Sequence, residues 1–217
     1  MNLLLFLSLV ISFSLSFFSV PFWIKKAKMS GLVWEDMNKM SREKNIAGSG
    51  GIVVVLAFSI AVLSYIATRT FFFKDMNISP EIFSLLSVIL IITIMGIVDD
   101  LFGWKNKGLS MRTRIFLAIF ASIPLIVINA GNSSMSFPFL GTLNLGLLYP
   151  LLFIPLGIVG AAASYNMLAG FNGLEAGQGI LILGFLSYAA YVTGTPWLSV
   201  IGLAMVVALA GFWFYNK

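Results

Sequence analysis

Seven runs of apolar residues without charged side chains alternate along the chain with shorter polar segments. A helix crosses a bilayer core with roughly 20 apolar residues, and about 17–25 is the working range. Most of the runs reach this length, so the pattern predicts an all-α integral membrane protein, a bundle of about seven transmembrane helices. The predicted spans are residues 2–24, 50–68, 82–98, 115–130, 145–165, 177–193 and 196–215.

Composition supports the same fold class. The 217 residues are 59% hydrophobic and 10% charged, whereas soluble domains are roughly 45–50% apolar and about 25% charged. We therefore expect residues 1–217 to form a single polytopic membrane domain. The sequence has no Cys and no His, which excludes disulfides, thiolate ligands and imidazole bases. Acid–base or metal chemistry would fall to Asp, Glu, Asn and Lys.

The basic residues predict the orientation. With the N-terminus outside, 11 of the 13 Lys and Arg lie in the inner loops 25–49 and 99–114 or in the C-terminal tail. Cytoplasmic loops carry such an excess. The first run is followed at once by Lys25, Lys26 and Lys28, which favours a retained anchor over a cleaved signal peptide. Membrane topology thus explains the net charge of +5, and no nucleic-acid partner is expected.

Asp99 and Asp100 end the third apolar run abruptly, at the predicted cytoplasmic boundary. Two adjacent carboxylates repel each other by about 4 kcal/mol at 4 Å and an effective dielectric of 20. A divalent cation would offset that repulsion, and oxygen ligands suit Mg²⁺ or Mn²⁺. The alternative is that the two carboxylates only flank a helix and are hydrated.

Two other segments carry polar residues at the same boundary. Residues 166–177 interrupt an apolar stretch with glycines and asparagines, which suit close backbone approach to a ligand, although a plain interhelical turn is the alternative. The loop 25–49 ends in a small-residue cluster before the second span. That cluster could receive a phosphate on backbone N–H groups or allow close helix packing. The cations of this loop, like Arg112 and Arg114, could bind anionic lipid or substrate.

These segments, in this order, resemble the polyprenyl-phosphate N-acetylhexosamine-1-phosphate transferase superfamily, glycosyltransferase family 4, in its dolichol-type branch of archaea and eukaryotes. The resemblance rests on the following motifs: Asp36-x-Asn38-Lys39, Gly50-Gly51, Asp99-Asp100 and Asn166-x-x-Ala-Gly-x-Asn172-Gly-Leu-Glu175-x-Gly177. It covers nearly the whole chain, and the last motif is the most specific.

The resemblance implies transfer of N-acetylhexosamine-1-phosphate from a UDP-sugar to a polyprenyl or dolichyl phosphate, with release of UMP and use of Mg²⁺ or Mn²⁺. It implies a multi-pass protein of the cell membrane, or of the endoplasmic reticulum in a eukaryote, with a cytoplasmic active site among membrane lipids and a homodimer as one option. By position, the resemblance assigns the following roles: Asp99 and Asp100 catalytic, Asn166 and Asp100 metal-binding, and Asn38, Lys39, Arg114, Gly170, Asn172 and Glu175 substrate-binding.

The sequence departs from the family pattern in two places. Ala47-Gly48 stands where the family usually has Pro-Glu, and the chain ends at Lys217, where family members continue into a further aspartate segment. We therefore expect a chain that resembles the N-terminal two thirds of the family fold. A non-catalytic relative, or a helical module that binds lipid phosphate or ions, is the competing hypothesis. Direct attack by the lipid phosphate and a two-step route through an aspartate are both open.

Overall fold

The computed structural model describes residues 3–35, 44–75, 79–105, 108–137, 139, 141–167 and 171–216. Most of these residues form α-helices. The helices are α1 (Leu3–Ser30), α2 (Gly51–Phe71), α3 (Pro80–Lys105), α4 (Met111–Ala121), α5 (Ile123–Ile128), α6 (Ile154–Met167), α7 (Leu174–Val192) and α8 (Pro196–Asn216). A π-helical turn over Tyr149–Phe153 leads into α6.

The all-α membrane fold is confirmed. Six segments of the described chain are long and apolar enough to cross a membrane, and they coincide with six of the seven predicted spans. The seventh prediction, residues 177–193, falls on α7. This helix is not among the six, and its first five residues include Glu175 and Gln178, which lower its mean hydropathy.

The structure contains a helix break and two β-hairpins that the sequence analysis did not predict. The predicted span 115–130 is two helices, α4 and α5, because Pro124 has no N–H to continue the helical hydrogen bonds past Ser122. The segment 131–144, which follows the fourth predicted span, contains the hairpin of β3 (Ser134–Phe137) and β4 (Gly141–Asn144). A second hairpin pairs β1 (Val33–Trp34) with β2 (Ile46–Ala47) in antiparallel register.

The core lies between α2, α3 and α8. On α2 the buried side chains recur every four residues, at Val54, Phe58, Val62 and Ile66. Residues four apart lie on one face of a helix, so this stripe forms a continuous ridge. It packs against buried residues of α3 and α8, namely Ile82, Leu86, Ile201, Ala204 and Ala208.

Helices α1 and α8 pack closely through small and hydroxyl-bearing residues. Ser12 and Ser16 on α1 donate hydrogen bonds to the carbonyl oxygens of Ala204 and Ala208, at 2.8 and 2.7 Å. One turn further on, a Cβ atom on Gly211 would lie 3.0 Å from the backbone of Phe13 and Phe17. Helices in lipid associate in this way, because small residues let the backbones approach.

Candidate functional site

Asp99 and Asp100 lie in the last two turns of α3, which continues to Lys105 instead of ending at the pair as the sequence suggested. Consecutive residues of an α-helix point about 100° apart. The helical backbone therefore directs the two carboxylates to different neighbours, Asp99 toward α4 and Asp100 toward the segment before α2.

Asp99 is held by Arg114 and by the residues directly before α4. Arg114, on the first turns of α4, approaches its Oδ2 to 2.9 Å and its Oδ1 to 3.1 Å, and the backbone N–H of Leu109 donates to Oδ1 at 2.6 Å. A Cβ atom on Gly108 would lie only 2.9 Å from Asp99 Oδ1. The turn can close on this carboxylate because residue 108 has no side chain.

Asp100 accepts a hydrogen bond from the hydroxyl of Ser49, at 2.6 Å. Ser49 has a φ of +56°, a left-handed conformation that few non-glycine residues adopt. The neighbouring Gly48 is locked in place: its carbonyl accepts from Trp23 Nε1 at 2.9 Å, and an added Cβ would lie 2.5 Å from Trp34 Nε1. Packing of the two tryptophans thus presents the serine hydroxyl to Asp100.

Residues at the end of α6 and at the start of α7 also line the site. The hydroxyl of Tyr165 donates to the backbone carbonyl of Glu175. Gly173, with a φ of +74°, is the N-cap of α7, and its N–H donates to Asn216 Oδ1 at the end of α8, at 3.2 Å. Glu175 precedes the apolar stretch of α7, and partial burial raises the pKa of its carboxyl.

Two cavities flank the aspartates, and each aspartate lines only one of them. The first, of about 380 Å³, lies between α3, α4 and α6, contains Asp99 and Arg114, and is otherwise mostly apolar. The second, of about 780 Å³, contains Asp100. It also has cationic and amide side chains, among them Lys28, Lys44 and Asn172.

Tyr165 and Glu175 line both cavities. The hydrogen bond between them therefore lies where the apolar and the polar cavity adjoin. The geometry can accept an apolar molecule on one side of the aspartates and a polar, anionic one on the other.

Residues 82–217, which contain both aspartates and the α6–α7 junction, match the model of glycosyl transferase family 4. The chain belongs to this family. The resemblance drawn from the motifs is thereby confirmed.

The names of similar proteins are consistent with this family. Proteins provisionally named UDP-N-acetylglucosamine–dolichyl-phosphate N-acetylglucosaminephosphotransferase are 34% identical in Saccharolobus solfataricus and 33% in Sulfolobus acidocaldarius, over 99% and 97% of this chain. A phospho-N-acetylmuramoyl-pentapeptide-transferase of Streptococcus pyogenes is 26% identical over 95% of it. The chain spans 62–64% of the length of these three proteins.

The structure places six of the nine predicted site residues around the two cavities. Asp99, Arg114 and Asn166 line the apolar cavity, Asp100 and Asn172 line the polar one, and Glu175 lines both. The motif resemblance assigned Asn166 and Asp100 together as metal ligands, and these two residues line different cavities. Asn38, Lys39 and Gly170 lie outside the described residues.

The polar cavity is lined by oxygen atoms of the kind that bind a hard cation. Asp100 and Glu175 supply carboxylates and Asn172 an amide oxygen. Mg²⁺ keeps several waters and is usually held by one or two carboxylates together with substrate phosphates. Within the part of the chain that the structure describes, no three Asp or Glu side chains form a metal cluster. These residues therefore fit a magnesium ion shared with bound phosphates, and not a cage made of protein ligands alone.

The predicted site residues did not include Ser49, Gly108, Tyr165 or Asn216, although the small-residue cluster that contains Ser49 was considered as a phosphate-binding element. Each makes its contact at long range or through a turn, for example Asn216 with Gly173. The motifs contained one usable signal, because Ser49 stands between glycines directly before the second span. Nothing in the sequence pattern distinguishes Tyr165 from the other aromatic residues of the apolar runs.

Proposed function

We propose that this chain belongs to an enzyme that transfers N-acetylhexosamine-1-phosphate, with GlcNAc-1-phosphate as the leading candidate, from a UDP-sugar to a polyprenyl or dolichyl phosphate. The names of its relatives support this substrate pair. The observation that carries the proposal is the placement of two adjacent aspartates on two cavities, one almost entirely apolar and one that also carries lysine and asparagine side chains.

The apolar cavity suits the acceptor. Its lining includes Ile92, Met95, Ile115 and Ala118, and its polar end holds Arg114. An isoprenoid chain would bury apolar surface against these side chains. Its phosphate would then lie beside the guanidinium, which forms strong charge-assisted hydrogen bonds with phosphate oxygens.

The polar cavity suits the nucleotide-sugar. Lys28 and Lys44 provide positive charge, and the asparagines Asn45 and Asn172 provide amide donors and acceptors. Positive side chains aimed at phosphates stabilise the charge that develops during transfer. Asp100 lines the same cavity, which supports a role for its carboxylate near the donor diphosphate.

The reaction forms a bond between an oxygen of the lipid phosphate and the β-phosphorus of the UDP-sugar. It breaks the bond from that phosphorus to the bridging oxygen, which leaves with UMP. A magnesium ion bound beside Asp100 would offset the charge of the phosphates. Three contacts of this chain would organise the site. Arg114 would hold the acceptor phosphate, and Ser49 orients the Asp100 carboxylate. The hydrogen bond between Tyr165 and Glu175 lies between the two cavities.

We further propose that the site faces the cytoplasm of a multi-pass membrane protein. Lys28 and Lys44, which belong to the basic inner loop predicted from the sequence, line the same cavity as Asp100. The excess of basic residues on that side supports this orientation.

The experiment that tests the function uses the complete reading frame, purified in detergent. We expect UMP release from UDP-GlcNAc and polyprenyl phosphate that requires Mg²⁺ and is lost in Asp100→Asn, with membrane insertion intact. Glu81→Gln is the matched control, because Glu81 is an acidic residue at the opposite end of α3 and lines neither of the two cavities around the aspartates. No release by the wild type would refute the function, and wild-type turnover by Asp100→Asn would remove this residue from the reaction.

A further inference from the structure

The two adjacent aspartates differ in how far their charge is already neutralised. Both oxygens of Asp99 contact Arg114, and one of them also accepts from the Leu109 N–H. Among the described residues, Asp100 accepts its hydrogen bond from the neutral hydroxyl of Ser49. A carboxylate with a guanidinium and an amide on it has little capacity left for a substrate, a metal ion or a proton.

Two residues directly before α4, Gly108 and Ser110, stabilise the Asp99–Arg114 pair. Ser110 caps α4 by accepting from the Thr113 N–H at 3.2 Å, which fixes the first turn of the helix that carries Arg114. Gly108 closes over the pair, because a Cβ atom there would lie 2.9 Å from Asp99 Oδ1 and 3.5 Å from Arg114 Nη2.

Arg114 retains donors for a second anion. Its contacts with Asp99 use Nη2, and its Nε is buried and has no hydrogen-bond partner among the described residues. A guanidinium has five N–H donors in a fixed fork, so it can hold a carboxylate at one edge and offer the rest elsewhere. The side chain lines the apolar cavity, where the head of an amphiphile would reach it.

From this geometry we infer that Asp99 is a positioning residue: it holds the Arg114 guanidinium at the polar end of the apolar cavity, where Arg114 receives the acceptor phosphate. The inference rests on the proposed function and replaces the catalytic role that the motif resemblance gives to Asp99. The two aspartates then have separate tasks, and Asp100 alone of the pair faces the donor cavity. Gly108 takes part indirectly, since it lets the turn close on the pair.

The test compares how substitutions change KM for each substrate with how they change kcat. For Asp99→Asn we expect KM for polyprenyl phosphate to rise about tenfold or more, because one charge-assisted contact to Arg114 is lost, while KM for UDP-GlcNAc and kcat change by less than about threefold. Gly108→Ala, which alters no charge, should raise the same KM. Gly184→Ala is its control, because a Cβ at this α7 glycine meets nothing within 4 Å, and it should match the wild type.

A binding measurement separates this inference from the proposed function. Purified protein is titrated with radiolabelled polyprenyl phosphate and, in parallel, with uncharged polyprenol. We expect Asp99→Asn to weaken binding of the phosphorylated lipid alone, and this comparison remains informative even if the wild type releases no UMP. Unchanged binding of polyprenyl phosphate in Asp99→Asn, or a kcat loss as large as that of Asp100→Asn with unchanged acceptor KM, would overturn the inference.

Discussion

The hydroxyl of Ser49 offers a sharp perturbation of the site, because it contacts Asp100 at 2.6 Å and its backbone has a φ of +56°. Ser49→Ala removes the hydroxyl and leaves a Cβ in the left-handed region. Ser49→Gly removes the same hydroxyl but also relieves that backbone conformation, since glycine adopts positive φ freely. The two variants therefore separate the effect of the hydrogen bond from that of backbone strain.

The magnitudes follow from the two contributions. A hydrogen bond to a charged group contributes about 1.5–3 kcal/mol. If it orients Asp100 in the transition state, its loss lowers kcat by roughly 10- to 100-fold in both variants, at about 1.4 kcal/mol per tenfold. The left-handed conformation costs about 1–2 kcal/mol for a residue with a Cβ atom. Ser49→Gly should therefore have a higher Tm than Ser49→Ala.

The assay is UMP release at saturating concentrations of both substrates, combined with thermal unfolding in detergent. Equal kcat losses in the two variants, together with the expected order of Tm, would support an orienting role for the hydroxyl. A kcat of Ser49→Ala within about twofold of the wild type would refute the reasoning, since a lost orienting bond cannot be that small. A kcat that follows Tm across the two variants would attribute the effect to stability instead.

Two further predictions concern the fold. Gly211→Ala should lower Tm by separating α1 from α8, an overpacking cost of about 1–3 kcal/mol, whereas Gly184→Ala, with open space at its Cβ, should not; equal Tm values would contradict the close packing. Because the sequence has no Cys, a single introduced cysteine is a unique label. In intact cells a membrane-impermeant maleimide should modify Asn132→Cys, and it should reach Lys44→Cys only after permeabilisation; the reverse pattern would invert the proposed orientation.

Most helices could be predicted from the sequence, because a transmembrane helix satisfies its own backbone hydrogen bonds and needs only a long apolar run. The predicted spans 50–68 and 196–215 differ from α2 and α8 by a few residues. The predictions were less accurate where a proline interrupts an apolar run, or where a helix continues beyond the end of the run. Pro124 divides one span into α4 and α5, and α3 continues past two charged residues to Lys105.

The candidate site could be predicted in its composition but not in its arrangement. The abrupt end of the third apolar run identified Asp99 and Asp100, since charged residues at a membrane boundary stand out against an apolar background, and the motif resemblance added Arg114. The pattern did not predict that Ser49 would contact Asp100, since 51 residues separate them and the contact depends on how α2 packs against α3.

The sequence alone therefore determined that the chain is a helical membrane protein, which of its loops carry the basic residues, and which residue types can carry chemistry. These properties follow from composition and from periodicity along one dimension. The tertiary structure alone decided that Asp99 and Asp100 face different cavities and have different partners. The reason is geometric. Neighbouring residues of a helix point about 100° apart, and the helices packed around α3 determine which partners each of the two side chains contacts.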